Sequence, residues 1–232
     1  MVRVLGRSLR VRVWSPGDGE MPLLLVHDGP DYVTQAALVQ WAGAMIESGA
    51  VGPFRVALLP PGDRGQWYSA SAAYGRALCR RIVPALGKHM PVADRPVGMG
   101  ASLGALAMLQ AQRAWPDTFA GLFLQSGSFF VPRFDRNESG FSRYGRIVRF
   151  VRGVLRTTIH DDPVPVVMTC GREEENLYNN RLVAGALRAQ GYELDLAEVP
   201  GGHDYPSWRD ALDPHLTGLL ASAWPHHMRR FS

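Results

Sequence analysis

Lysine is almost missing from this chain: of 25 basic residues in 232, only Lys88 is not arginine. Such a bias reads as codon usage rather than as a surface for polyphosphate. The formal net charge is only +4 and no nucleic-acid-binding module is recognisable, so no nucleic-acid partner is expected. Cysteine is scarce too. Cys79 falls on an expected helix and Cys170 at the end of an expected strand, positions read as reduced and buried rather than paired. No apolar run is long enough to cross a bilayer, and Met1 to Arg7 carries neither the apolar region nor the cleavage site of a secretory leader. The expected location is therefore cytoplasmic, with no membrane span. Internal repeats and low-complexity tracts are absent as well. Against these absences stands a hydrophobic content of 46%, enough for the core of one globular domain over 1–232.

What is present is a pentapeptide with an informative setting: Gly100-Ala-Ser102-Leu-Gly104 follows apolar Val97 to Met99 and precedes Ala105 to Gln112, which is rich in helix formers. A strand turning abruptly into a helix holds a serine in a strained conformation, with its hydroxyl exposed at the helix N-terminus. Glycines flank it because a Cβ at either position would clash in so tight a turn. Ser102 is thus a candidate nucleophile, although a serine hydroxyl needs a base, and the base an acid to orient it.

Both partners have candidates downstream, in the chain order serine, acid, histidine of an α/β-hydrolase arrangement. The apolar segment Val164 to Gly171 reads as a buried strand and runs into Glu173-Glu174-Glu175. A helix is expected over Leu177 to Gln190, then a strand over Glu193 to Val199, then Gly201-Gly202-His203. An acidic cluster and a glycine-flanked histidine therefore each follow a strand, where open α/β sheets bind ligands. Asp161 and Asp162 precede their strand and are rejected as the acid. Asp204 adjoins the histidine and reads as a turn residue.

The remaining pattern gives strands at Val2–Leu5 and Leu9–Trp14 joined by a turn at Gly6-Arg7-Ser8, then at Leu23–Val26, Phe54–Leu59 and Ala120–Leu124. Near-continuous apolar strands alternating with helices imply a mostly parallel sheet covered on both faces. After His203, Ser207 and Asp210 have the spacing of a capping box, and Asp213-Pro214 should split the last segment into two helical pieces.

Four stretches together, Gly100 to Gly104, Leu124-Gln-Ser-Gly-Ser-Phe129, Gly171-Arg-Glu-Glu-Glu-Asn-Leu177 and Gly202-His-Asp-Tyr-Pro-Ser-Trp-Arg209, resemble the Putative esterase family of α/β-hydrolases. That group contains enterochelin esterases, S-formylglutathione hydrolases, feruloyl esterases and mycolyltransferases. Pro61 to Tyr68 resembles the family's segment before the nucleophile. The resemblance implies an α/β-hydrolase fold with a mostly parallel central sheet, to which the residue pattern adds the antiparallel N-terminal hairpin of Val2–Leu5 and Leu9–Trp14. It also implies a carboxylic ester hydrolase working through an acyl-enzyme on Ser102, with His203 as base. The family pattern places the acid three residues beyond Gly171, at Glu174, with Glu175 next in line. Acyl transfer with the same triad, a siderophore-type lactone substrate and a non-catalytic binding role are the alternatives.

An oxyanion hole needs two backbone N–H donors. Leu103, following the nucleophile, supplies one. Related hydrolases take the second from the residue after the glycine of the His27-Asp28-Gly29 loop; here that is Pro30, which has no N–H, so Asp31 is the expected donor. His27 itself reads as a supporting residue. Arg64, Trp67, Tyr68, Phe129 and Tyr205 are expected to bind a small-molecule ester. Arg143, Arg146, Arg149, Arg152 and Arg156, spaced by three and four, form a basic helix face over Ser142 to Arg156. That face reads as solvated, or else as a cap favouring an anionic acyl group. No cofactor or metal is expected: His89, His160 and His215 have no supporting constellation, and His226-His227 read as a solvated tail.

Overall fold

The computed structural model describes residues 1–225, and the His226-His227 pair lies outside them. Among the described residues nine strands run in chain order as β1 (Val2–Val4), β2 (Arg7–Leu9), β3 (Arg12–Trp14), β4 (Leu23–Val26), β5 (Arg55–Leu58), β6 (Val97–Ala101), β7 (Gly121–Gln125), β8 (Val166–Gly171) and β9 (Leu194–Val199). Seven of them form one sheet in the order β3-β5-β4-β6-β7-β8-β9. Every pairing in it is parallel except the β3 edge, which runs antiparallel to β5. This is the α/β-hydrolase class, with a separate small hairpin of β1 and β2.

The hairpin departs from the expected strand boundaries. Val4 pairs with Arg7, so the turn is Leu5-Gly6, with φ of 47° and 83°. Two successive left-handed residues match the right-handed twist of the flanking strands, which is why glycine stands there. The expected single strand Leu9–Trp14 is divided: its first part pairs in the hairpin and its last part joins the main sheet.

Because successive side chains of a strand point to opposite faces, each central strand feeds two cores. Leu23 and Leu25 of β4 pack with Leu106, Leu109, Val151 and Val183 on one side. Leu24 and Val26 pack with Met99, Phe123, Leu216 and Leu220 on the other. All residues of β4, β5, β6 and β7 are buried, as a sheet covered on both faces requires. The helix Leu103–Ala114 is buried through Gln112. The segment after His203 forms helices Tyr205–Asp210 and Thr217–Ala223, interrupted at Asp213, whose φ and ψ of −110° and 129° are not helical.

This order places the site. β4 has β5 on one side and β6 on the other, so the connections leaving β4 and β6 diverge and open a crevice at the carboxyl ends of the two strands. His27 and Asp28 follow β4, Ser102 follows β6, and both stand at that crevice.

Candidate active site

Ser102 occupies a backbone conformation that L-residues avoid, φ 57° and ψ −123°, between β6 and the helix Leu103–Ala114. A Cβ on Gly100 would lie 2.5 Å from the Gly104 carbonyl carbon, and one on Gly104 would lie 3.2 Å from the His27 Cβ. The first glycine lets strand and helix close on each other; the second lets the helix approach the β4 loop. The Ser102 hydroxyl stands 3.0 Å from that of Ser128, whose own N–H donates to the Ser102 carbonyl at 3.2 Å.

The loops after β8 and β9 bring an acid to a histidine. Their close approach depends on Gly171, since a Cβ there would fall 2.2 Å from the Gly201 carbonyl oxygen. Glu174 is buried, and its Oε2 lies 2.7 Å from His203 Nδ1. Its Oε1 accepts from the Gly171 N–H at 2.7 Å and from the Ser126 hydroxyl at 2.6 Å. Burial works to raise this carboxyl's pKa, but the hydrogen bonds from His203, Ser126 and Gly171 outweigh it, and the net shift is downward. With Nδ1 donating to the carboxylate, Nε2 is the nitrogen free to accept a proton. Glu173 and Glu175 are exposed. Asp204 caps the helix Tyr205–Asp210 by accepting from the Ser207 N–H at 2.9 Å. The expected Ser207 capping box is therefore replaced by a cap three residues earlier, and the Ser207 hydroxyl instead accepts from the Gly202 N–H at 3.1 Å.

His27 is fully buried, with Nδ1 3.0 Å from the Gly104 carbonyl and Nε2 2.9 Å from the Tyr74 hydroxyl. A carbonyl can only accept, so Nδ1 carries the proton and Nε2 accepts from Tyr74. Burial lowers the His27 pKa to about 3, and the ring stays neutral as a strut between the β4 loop and the helix Leu103–Ala114.

Ser102, Leu103, Glu174 and His203 share a cleft of about 470 Å³ with Arg64, Ser128, Phe130, Phe134, Asp135, Asn137, Glu138, Phe141, Glu173, Glu175 and Asn176. Of the residues expected to bind substrate, Arg64 lines this cleft, with its guanidinium 3.0 Å from the buried Asp28 carboxylate. The other four sit elsewhere. Trp67 and Tyr68 are core residues, Trp67 stacked on Tyr74 at 5.5 Å and Tyr68 tilted against His27 at 4.2 Å. Phe129 is fully buried, and its neighbour Phe130 faces the cleft. Tyr205 packs edge-on against Tyr32 and Trp208. Position beside a cleft-lining loop thus selected aromatic residues without saying which way each one turns. Ser128, overlooked by that reasoning, was already visible in the Gln125-Ser-Gly-Ser128 stretch.

Asp31 is also placed otherwise than expected as an oxyanion donor. Its N–H is taken by the Asp28 carbonyl at 3.0 Å, in the first turn of the helix Gly29–Gln35. The His27 and Gly29 amides are taken by the Met99 and Leu59 carbonyls. Neither the four arginines of the basic helix, Tyr144–Arg156, nor Arg143 just before it lines the cleft. Arg146 donates instead to the carbonyls of Gln66 and Ser69. Cys79 and Cys170 are both buried and free. Among the described residues no cluster of His, Cys, Asp and Glu is arranged to hold a metal, and no helix is long and apolar enough to cross a membrane.

Comparison with known proteins returns a consistent picture. The sequence profile of the family described as Putative esterase matches residues 3–219. An iron(III) enterobactin esterase of Dickeya dadantii (strain 3937) is 27% identical over 94% of this chain. The chain spans about half the length of that relative, 54%. Among solved structures, the enterobactin esterase of Shigella flexneri in the presence of 2,3-di-hydroxy-N-benzoyl-glycine superposes with a TM-score of 0.78 at 21% identity, over 97% of this chain and 59% of the other. A ferulic acid esterase superposes with a TM-score of 0.76 at 17% identity, over 99% and 94% of the two chains.

Proposed function

Because the chain belongs to the Putative esterase family, we propose that it is a serine carboxylic ester hydrolase with Ser102, His203 and Glu174 as its triad. The observation that carries this reading is the Glu174–His203 pair, held at 2.7 Å in the same cleft as a serine at φ 57°. In the reaction the Ser102 hydroxyl turns from Ser128 to His203 Nε2, loses its proton there and attacks the ester carbonyl. His203 returns that proton to the leaving alcohol and then activates the water that frees the acid from the acyl-enzyme. Glu174 fixes the tautomer and stabilises the imidazolium. The Leu103 N–H, at the start of a 12-residue helix, is one donor to the oxyanion.

A fluorophosphonate probe is expected to label Ser102 alone. Ser102→Ala and His203→Ala should each lower kcat on a nitrophenyl ester by roughly 10⁶, and the double variant should be hardly worse, because the two act as a unit. Full esterase activity in purified Ser102→Ala would overturn the assignment. The relatives named enterobactin esterase make a siderophore ester a second substrate to assay beside simple nitrophenyl esters of increasing acyl length.

A further inference from the structure

The turn after β7 touches two members of the proposed triad, Ser102 and Glu174, and one of its side chains has no role in the chemistry just described. Ser126 is buried in a left-handed conformation, φ 49°. Its hydroxyl donates its single proton to Glu174 Oε1 at 2.6 Å and accepts from the Trp208 indole N–H at 2.9 Å. Trp208 lies in the helix that follows His203, and its ring meets the imidazole edge to face at 5.2 Å. The backbone of the same turn is fastened on both sides. The Ser126 N–H donates to the Thr169 carbonyl at 2.7 Å, the Asn176 side chain donates to the Ser126 carbonyl at 3.0 Å, and the Gly127 N–H donates to Asn180 Oδ1 at 3.0 Å. Two residues on, Ser128 reaches the nucleophile.

We infer that Ser126 is a positioning residue: it anchors Glu174 Oε1 so that Oε2 is presented to His203, and through Trp208 it fixes the helix that carries the histidine loop. This rests on the triad reading above. A carboxylate on a short, mobile side chain can turn about its terminal bond and offer either oxygen. Two donors on Oε1, the Ser126 hydroxyl and the rigid Gly171 N–H, hold that rotation in one setting. A seryl side chain suits the place because one small hydroxyl both donates and accepts. Alanine there would keep the backbone and lose both bonds, and would leave the buried Trp208 N–H without its acceptor.

The test is a kinetic cycle on full-length chain with 4-nitrophenyl acetate, with the fold of every variant monitored by its near-ultraviolet circular dichroism. Ser126→Ala is expected to lower kcat roughly ten- to hundred-fold, the range of a hydrogen bond to a charged group, with KM changed less than about three-fold. In a Glu174→Gln background the same substitution should change kcat by less than about three-fold, because the residue acts through that carboxylate. Trp208→Phe removes the N–H and keeps a ring beside His203; it should give a smaller loss that also vanishes in the Glu174→Gln background. That variant decides the matter if Ser126→Ala does not fold. A penalty of equal size in both backgrounds, or no loss of kcat in either single variant, overturns the proposal. Undiminished activity in Glu174→Gln alone would overturn the triad reading itself, an outcome distinct from the failure of Ser126.

Discussion

Three consecutive glutamates, Glu173 to Glu175, share one chemistry and differ in direction. Two are exposed, and the middle one is buried with three hydrogen-bond donors around its carboxylate. Glu174→Gln should therefore cost roughly 10⁴ in kcat, as loss of a triad acid does, while Glu173→Gln and Glu175→Gln stay within a few-fold of the parent. Steady-state kinetics of the three variants decides this, and an inactive Glu175→Gln would move the acid by one residue. A second residue-scale expectation concerns His27. Its folded pKa of about 3 lies below the ordinary histidine value of 6.5, so the unfolded chain takes up the proton first. The stability it contributes is whole above pH 6.5 and is lost as pH falls toward 3. The slope attributable to this one group is at most ~1.4 kcal/mol per pH unit. Urea unfolding between pH 6.5 and 4.5 should show a shallower slope for His27→Gln than for the parent. An unchanged slope would mean that His27 is protonated in the folded protein.

Among the elements, the helix Tyr144–Arg156 shows how one face can hold two kinds of arginine. Arg149 and Arg152 are exposed, whereas Arg146 is half-buried and fastens the helix to the carbonyls at the end of the short helix Arg64–Trp67. Arg146→Gln is expected to destabilise the protein by about 1.5–3 kcal/mol, the worth of a charge-assisted bond, and Arg149→Gln by no more than about 0.5 kcal/mol. Chemical denaturation of the two variants would separate them; equal effects would mean that the bonds of Arg146 contribute nothing. The helix itself, with its apolar stripe of Ile147, Val148, Val151 and Val154, was legible from spacing. The role of Arg146 was not, since it depends on a carbonyl pair 77 and 80 residues away in sequence.

At the scale of the whole molecule, the strand order gathers loops from five strands into one cleft and decides its charge. Asp135, Glu138, Glu173 and Glu175 line it beside Glu174, and Arg64, the cation in the wall, is paired with Asp28. An anionic acyl group meets like charge there, contrary to the reading that made the arginine face a cap. The KM for mono-4-nitrophenyl succinate should exceed that for 4-nitrophenyl butanoate, with a gap that narrows as salt rises and screening shortens to about 8 Å at physiological ionic strength. A lower KM for the anionic ester would show that Arg64 governs the cleft despite its partner.

Sequence by itself determined what local rules govern. Glycines at 100 and 104 around Ser102, an apolar strand before and a helix former after specify the elbow, because its φ of 57° is tolerable only where no Cβ crowds it. Continuous apolar runs specified buried parallel strands, and an acidic cluster after one of them and a histidine after the alternating strand β9 specified the end of the sheet at which they meet. Tertiary structure alone decided which side chains turn inward. Phe130 faces the cleft and Phe129 the core, although the two are adjacent. Asp31 gives its N–H to the turn at Asp28 instead of to the crevice. Ser126 and Ser128, two residues apart, reach Glu174 and Ser102 respectively. Each of these outcomes depends on partners tens of residues distant or on a hydrogen bond that a turn claims first, and neither leaves a period or a spacing in the chain.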